Sequence, residues 1–539
     1  MDGRDALLGD DAICSERRFE RIAYALIVAL TLFRILYAAI APLDLIHDEA
    51  YYWDWSRRLD WGYYSKPPLI AWIIAASTRL FGSSTFTVRL PAAVLSGAAL
   101  AGMYALGSRM YGRRAGLIAV ALSAAAPGAV AVGLIMTIDA PLLCFWTWSL
   151  YFLWRMIEPG PLSTGGKGVF PAAGPWISLA GAVGCTGLAV LSKQTALALI
   201  PLFGTFLLLS PQRRRLLIGL RFGTWVAGSL LFLAPVVIWN LRHDWITLAH
   251  TRHHFAQESL TVLGRLARFG EYLLGQGGVV SPLTAVLLAI LMPVALWRLR
   301  RLEDRERFLV IFGLGPLAGV MALALTRHVE PNWPAPFYVA AIALLAGWAR
   351  RAVGISPRVD WLRFAVRPAI VGGSLLAAAT YAAPFALGWW GLHGSPFDPT
   401  FRMRGWRDVG RETAARLCGE SVHWLVVQDR AATAELAFYL PGQPRVALYN
   451  PSGIVASQYD LWAMTAPANA SPKPTIVVTR HGAAPPTELA DALGGLTPYA
   501  NVEHPLGGKR RLAFTLWRTG GEPAHLARTH QGPKAPCPR

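Results

Sequence analysis

Long apolar runs alternate with short basic connections over the first three quarters of the chain. A helix that crosses a membrane needs about 20 mostly apolar residues. Runs of that kind begin near residues 22, 88, 115, 139, 175, 195, 216, 280, 307, 333 and 367. After about residue 391 the pattern changes. VHWLVVQ, PRVALY, PTIVVTR and RRLAFTLW have strand character, while RAATAELAFYL and PPTELADALGGL between them have helical spacing. That alternation predicts a small α/β domain. The expected fold class is an α-helical polytopic membrane protein of about eleven spans, with a small C-terminal extracytoplasmic α/β domain.

The basic residues orient the spans. Arg17, Arg18 and Arg21 precede the first run, and Arg109, Arg113 and Arg114 separate the second from the third. Arg213, Arg214 and Arg215 follow the sixth run. Arg298, Arg300, Arg301, Arg305 and Arg307 fill a further connection, and Arg350, Arg351, Arg358, Arg363 and Arg367 another. All fall on one side, which the positive-inside rule makes cytoplasmic. Residues 1–21 are then a cytoplasmic N-terminus and 22–390 a transmembrane domain, with a first outer loop at 43–87 and a long outer loop at 240–279. Residues 391–539 lie outside as a periplasmic domain whose tail, Pro/Gly-rich from about Gly521, is expected to be loose. No A-x-A-like cleavage site follows the first run, so that span is expected to be retained.

Composition sharpens this picture. Of 539 residues only 15% are charged, and mean hydropathy is +0.38. A net charge of +19 would suggest a nucleic-acid partner in a soluble protein. Here it sits in the short connections and reads as a topology signal, so no nucleic acid is expected. The five cysteines form no CxxC, which argues against cysteine metal or redox chemistry. Cys418 and Cys537 both fall in the outer domain, where a disulfide and two unrelated thiols are both open readings.

Polar groups converge on the outer side. Asp48 and Glu49 follow the first span, Lys66 precedes Pro67-Pro68, and Asp139 begins the fourth run. Lys193 lies at the turn between the fifth and sixth, and His328 and Glu330 lie in RHVEPNWP. Each alone has an ordinary explanation: Asp139 as a helix cap before a proline, Lys193 as a snorkelling side chain, Asp48 and Glu49 as the acidic start of a helix. Together they predict a polar site at the outer leaflet, since acids at a membrane are costly without a partner or a task. The rings of Tyr51, Tyr52, Trp53, Trp55, Trp61, Tyr63 and Tyr64 fit an interfacial belt or a helix lying in the headgroup plane. Stacking on a sugar is compatible with either. The histidines and arginines of 240–279 fit a basic surface facing anionic headgroups. No cofactor and no divalent metal is assigned.

HDEAYYW, YYSKPPLIAW, RLPAAVL, MTIDAPLL, GLAVLSKQTAL and HVEPNWPAP, with AELAFYLPGQPRVALYN and SQYDLW in the tail, resemble a known family. The chain resembles the GT-C superfamily of multi-pass glycosyltransferases, in the bacterial glycosyltransferase 39/83-like branch related to lipid A aminoarabinose transferases and protein O-mannosyltransferases. The resemblance runs from the first span to about residue 465 and is most specific in the first outer loop. It implies an inverting sugar transfer from a polyprenyl-phosphate-linked donor to lipid A, lipopolysaccharide core or another envelope glycan, at the bacterial inner membrane. It implies that Asp48, Glu49 and Asp139 are catalytic and that Lys66 and Lys193 bind the donor phosphate. Tyr51, Tyr52, Tyr64, His328 and Glu330 are candidate substrate contacts. The glutamate that precedes the family's lysine is Ser65 here. Protein O-mannosylation is the alternative within the class. A lipid transporter or flippase is the alternative outside it, disfavoured because the charged groups cluster at one face and the halves show no repeat.

Overall fold

The computed structural model describes residues 3–158, 174–254, 261–350, 361–396, 398–417, 421–463 and 474–520. Cys418 and Cys537 lie outside them. Helices α1 (Gly3–Ile40), α2 (His47–Ser56), α3 (Leu69–Phe81), α4 (Thr85–Tyr111), α5 (Arg113–Ala124), α6 (Pro127–Leu134), α7 (Asp139–Ile157) and α8 (Pro175–Ser192) come first. Then follow α9 (Leu199–Leu209), α10 (Leu220–Leu231), α11 (Ala234–Leu241), α12 (Ile246–His254), α13 (Val262–Val280) and α14 (Pro282–Trp297). After them come α15 (Asp304–Leu309), α16 (Gly315–Ala324), α17 (Ala335–Ala349) and α18 (Leu362–Trp389).

Among the described residues five helices are long and apolar enough to cross a membrane: Glu16–Ile40, α4, α8, the segment Asp304–Ala324 and α18. Three more crossings are available if each of the bent pairs α5/α6, α10/α11 and α13/α14 counts as one; they bend by 74°, 43° and 114°. The chain is a multi-pass membrane protein. Every bend has a proline at or next to the start of the second helix: Pro127, Pro235 and Pro282. Proline has no N–H to continue the ladder and pushes the preceding residue out of the helical region, so the break falls there. At the sharpest bend Ser281 takes φ +77, a left-handed conformation that costs a non-glycine residue energy. The stretch 240–279, expected as an open loop, is instead largely α12 and α13.

The chain divides into two compact units, one of residues 1–40, 60–62 and 66–381, the other of 41–59, 63–65 and 382–539. The first is a helical bundle whose core joins Tyr104 and Leu100 of α4, Trp146, Leu150 and Trp154 of α7, Phe203 and Phe206 of α9, Trp225 of α10, and Phe308 and Phe312. Close approach is made by small residues: a Cβ on Gly102 would meet Thr147 at 2.9 Å, and one on Gly107 would meet the backbone of Gly116 at 3.1 Å. The one arginine deep in α1, Arg34, is fully buried. It is tied to Ser96 and, at 2.9 Å, to the Tyr381 hydroxyl, as a charge in an apolar span must be.

The second unit adds α19 (Trp406–Arg416), α20 (Arg430–Tyr439), α21 (Gln458–Ala463) and α22 (Thr487–Ala492) to strands β1 (His423–Val427), β2 (Val446–Tyr449), β3 (Thr475–Arg480), β4 (Leu496–Gly507) and β5 (Arg510–Thr519). The sheet order is β2-β1-β3-β5-β4. β1 pairs in parallel with β2 and β3, and β5 is antiparallel to β3 and β4. The α/β pattern expected of the tail is present. β4 was not foreseen: Pro498 and Pro505 break its alternation, and register shifts occur beside both.

The segment after the first span belongs to this second unit. α2 packs on α20: Trp53 meets Phe438 edge-on at 4.8 Å, and the Leu45 amide donates to the Tyr439 hydroxyl at 2.7 Å. Tyr51, Tyr52, Trp53, Trp55 and Tyr63 are all buried. They form a packed cluster, with Trp55 stacked on Tyr63 at 4.4 Å, and not the interfacial belt or headgroup-plane helix expected. Trp61 is half exposed and Tyr64 half-buried.

Candidate active site

The acidic head of α2 resolves into two different carboxylates. Glu49 is fully buried, and its Oε2 accepts the Ile46 amide at 3.1 Å. It closes the first turn of its own helix, a capping contact that satisfies a donor the helix leaves orphaned. Asp48 keeps 37% of its side chain exposed and accepts from Arg430 Nη2 at 3.3 Å. His47 Nε2 lies 3.7 Å from the same Oδ1. Burial pushes the His47 imidazole below its ordinary range, opposed by the Asp48 charge.

Arg430 is held in place from both sides. Asp429 caps α20 by accepting the Ala432 amide at 2.9 Å, which fixes Arg430 as the first helical residue. Its guanidinium lies 4.7 Å above the Tyr51 ring, a cation–π contact. The Tyr51 hydroxyl in turn accepts the Gln458 backbone amide at 2.6 Å, and burial raises its pKa well above the ordinary tyrosine range. Tyr51 thus supports the arginine that holds Asp48, while Tyr52 packs against Tyr51 and Trp55. Tyr64 is half-buried, its amide bonded to Gln458 Oε1 at 2.7 Å, and burial raises its hydroxyl pKa. Arg430 and Gln458 were not legible beforehand, because nothing local links them to a helix some 400 residues earlier.

The other predicted residues belong to the first unit. Asp139 is the first residue of α7 and makes no cap bond to its helix. Its carboxylate instead accepts Lys193 Nζ at 2.9 Å on Oδ1 and Asn332 Nδ2 at 2.7 Å on Oδ2. Lys193 sits where α8 stops, in an extended conformation (φ −159, ψ 135) that separates it from the 3₁₀ turn Gln194–Ala198. The sequence placed Asp139 and Lys193 on the same outer side, and the structure joins them in one ion pair, with 9% and 12% of their side chains exposed. Asn332 was passed over although it lies inside the quoted EPNWP stretch. His328 and Glu330 of the same turn pair with each other at 3.1 Å, both 55% exposed. Lys66 is half-buried just before Pro67 and Pro68, and Pro68 caps α3.

Chemically, the first unit presents lysine ammoniums, one of them held by a carboxylate that the Asn332 amide braces, and an ammonium of that kind suits a phosphate. The second presents one accessible carboxylate fixed by an arginine, suited to taking a proton or orienting a nucleophile.

Known proteins carry related chains. Residues 65–239 match the family model of dolichyl-phosphate-mannose-protein mannosyltransferases. The lipid A galacturonosyltransferase RgtD of Rhizobium johnstonii is 28% identical over 449 residues, 82% of this chain and 87% of that one. The fold is similar to that of ArnT from Cupriavidus metallidurans, in its apo state and bound to undecaprenyl phosphate. Each superposes with a TM-score of 0.60 over 92% of this chain and 97% of ArnT, at 16% and 17% identity. The chain is thus similar over residues 65–239 to the mannosyltransferase family, over most of its length to a lipid A galacturonosyltransferase, and in fold to ArnT.

Proposed function

We propose that the chain moves a sugar from a polyprenyl-phosphate-linked donor to an acceptor of lipid A or lipopolysaccharide-core type, with inversion at the anomeric carbon. The observation that carries this reading is Asp48, the accessible carboxylate of the DEAYYW stretch, held by Arg430 beside its buried neighbour Glu49. An acceptor hydroxyl attacks the anomeric carbon and its proton goes to Asp48. The bond from that carbon to the phosphate oxygen breaks, and the polyprenyl phosphate leaves with the electron pair. Negative charge then grows on the phosphate, a charge of the kind that the ammoniums of Lys66 and Lys193 in the first unit are suited to stabilise. Both Asp139 oxygens are engaged, so its role is to aim Lys193 rather than to act as base. The RgtD likeness makes a hexuronic acid the first sugar to test.

Protein O-mannosylation is the second reading. The mannosyltransferase family match favours it, since residues 65–239 include Lys66, Asp139 and Lys193.

We also read eleven crossings: the eight available spans with α7, Gln194–Leu209 and α17 added. The N-terminus is then cytoplasmic and residue 400 periplasmic. A reporter fused after residue 400 is expected outside the cytoplasm, and a cytoplasmic signal would overturn this orientation. For the reaction, purified protein is given polyprenyl-phosphate uronosyl and hexosyl donors with lipid A or a peptide acceptor. Products are followed by mass spectrometry. Sugar on lipid A, abolished in Lys66→Ala, supports the proposal; sugar on the peptide alone selects the second reading.

A further inference from the structure

We propose that the second unit carries a phosphate-binding cavity that holds the headgroup of an anionic membrane phospholipid, a site separate from Asp48. The cavity has a volume of about 400 Å3 and is lined by Arg404, Arg407, Arg411, His393 and His504, with Asp44 and Asp408.

Its walls are built rather than incidental. Arg407 and Arg411 stand one turn apart on the same face of α19. Arg404 is anchored by donation from Nε to Thr400 Oγ1 at 3.1 Å and from Nη2 to Pro384 O at 2.9 Å. Gly405 turns the chain with φ +84, and a Cβ there would run into Leu506 and His504 at 2.7 and 2.8 Å. That glycine lets the β4 wall close on the arginines.

The charge balance favours an anion. Both carboxylates are already engaged. Asp44 Oδ2 accepts the amides of Trp406 and Arg407 at 3.0 and 3.3 Å, so it occupies the N-terminus of α19 itself. Asp408 faces Arg411 at 3.8 Å and His504 at 3.6 Å. Three guanidiniums outnumber two carboxylates. Of the His393 ring, Nε2 is buried with no hydrogen-bond partner among the described residues.

The position of the lining residues in the chain points to a lipid as the source of that anion. Pro42 and Asp44 lie two and four positions after Ile40, where α1 ends. His393 lies four positions after the end of α18, whose last residue, Trp389, and its neighbour Trp390 are 92% and 71% exposed. Exposed tryptophans at the end of an apolar helix sit at headgroup depth. A cationic cavity whose lining lies within four residues of two apolar helix ends, one of them carrying these tryptophans, meets lipid phosphate first, and each arginine near that surface adds to the attraction.

The full-length protein, purified in mild detergent, is tested by native mass spectrometry with phosphatidylglycerol, with phosphatidylcholine, and with phosphatidylglycerol plus millimolar inorganic phosphate. Wild type is expected to retain phosphatidylglycerol over phosphatidylcholine. The double variant Arg407→Gln/Arg411→Gln should lose roughly tenfold or more of that retention. Asp408→Asn, which removes a repelling charge, should increase it. These changes of opposite sign distinguish binding from general damage to the fold. Equal lipid retention in wild type and the double variant overturns the proposal. So does a decrease in Asp408→Asn, or displacement of the lipid by inorganic phosphate, which would assign the cavity to a free anion.

Discussion

Lys193 Nζ lies 2.9 Å from Asp139 Oδ1, with both side chains nearly excluded from solvent. Removing one member of a buried pair leaves the other charge uncompensated. Asp139→Ala or Lys193→Met is therefore expected to cost about 3 kcal/mol, visible as a drop in the unfolding temperature in detergent. The double variant Asp139→Asn/Lys193→Met should recover much of the stability and none of the sugar transfer. Single variants as stable as wild type would show that the pair is not coupled.

Asp48 and Glu49 should separate in opposite ways. Asp48→Asn is expected to lower transfer by about 10²–10⁴ while leaving thermal unfolding unchanged. Glu49→Gln, which weakens the closure of the first turn of α2, should lower stability by roughly 1 kcal/mol and reduce transfer far less. The two rates and the two melting curves decide; an inactive Glu49→Gln beside an active Asp48→Asn would reverse the roles.

The aromatic cluster is structural. Trp53 is 1% exposed and sits edge-on against Phe438, so Trp53→Ala should cost about 3–5 kcal/mol. Tyr51→Phe removes the acceptor for the Gln458 amide and should cost about 1–3 kcal/mol. If either variant lost lipid association but kept its stability, the rings would be membrane contacts after all.

His47 gives a pH signature. Its folded-state pKa is lowered, by burial first, with Arg430 and Arg402 acting in the same direction and Asp48 and Asp429 against it. The unfolded state therefore binds the proton more readily. Above the unfolded value of about 6.5 both states are neutral and the term vanishes. As pH falls through that value stability is lost, and the loss levels off below the folded pKa. His47→Gln should flatten the fall of the unfolding temperature that sets in as pH drops below about 6.5. An unchanged slope would place the titration elsewhere.

Much of this was readable in advance, and the reasons for the remainder are physical. Apolar runs and arginine-rich turns mark most helices because both are local properties of the chain. The strands VHWLVVQ and PTIVVTR are local in the same way. β4 escaped because two prolines interrupt its period. Asp139 and Lys193 were found as acid and base near one face, but their pairing needed α7 and α8 side by side. Asn332 looked like an ordinary turn residue. Arg430 and the burial of Tyr51 and Trp53 had no sequence signal at all, since an aromatic run after a span reads the same whether it meets lipid or protein.

The partnership of α2 with α20 also sets an order of events during synthesis. Asp48 and Arg430 are 382 positions apart. At about 5–20 residues per second, roughly 20 to 80 seconds pass between the two leaving the ribosome. For that interval Tyr51, Trp53 and Trp55 have no partner helix to cover them. A chain halted before residue 430 would carry every group of the first unit and still lack the support for its acidic helix. The newly made protein thus stays without a completed Asp48 environment until α20 has been made.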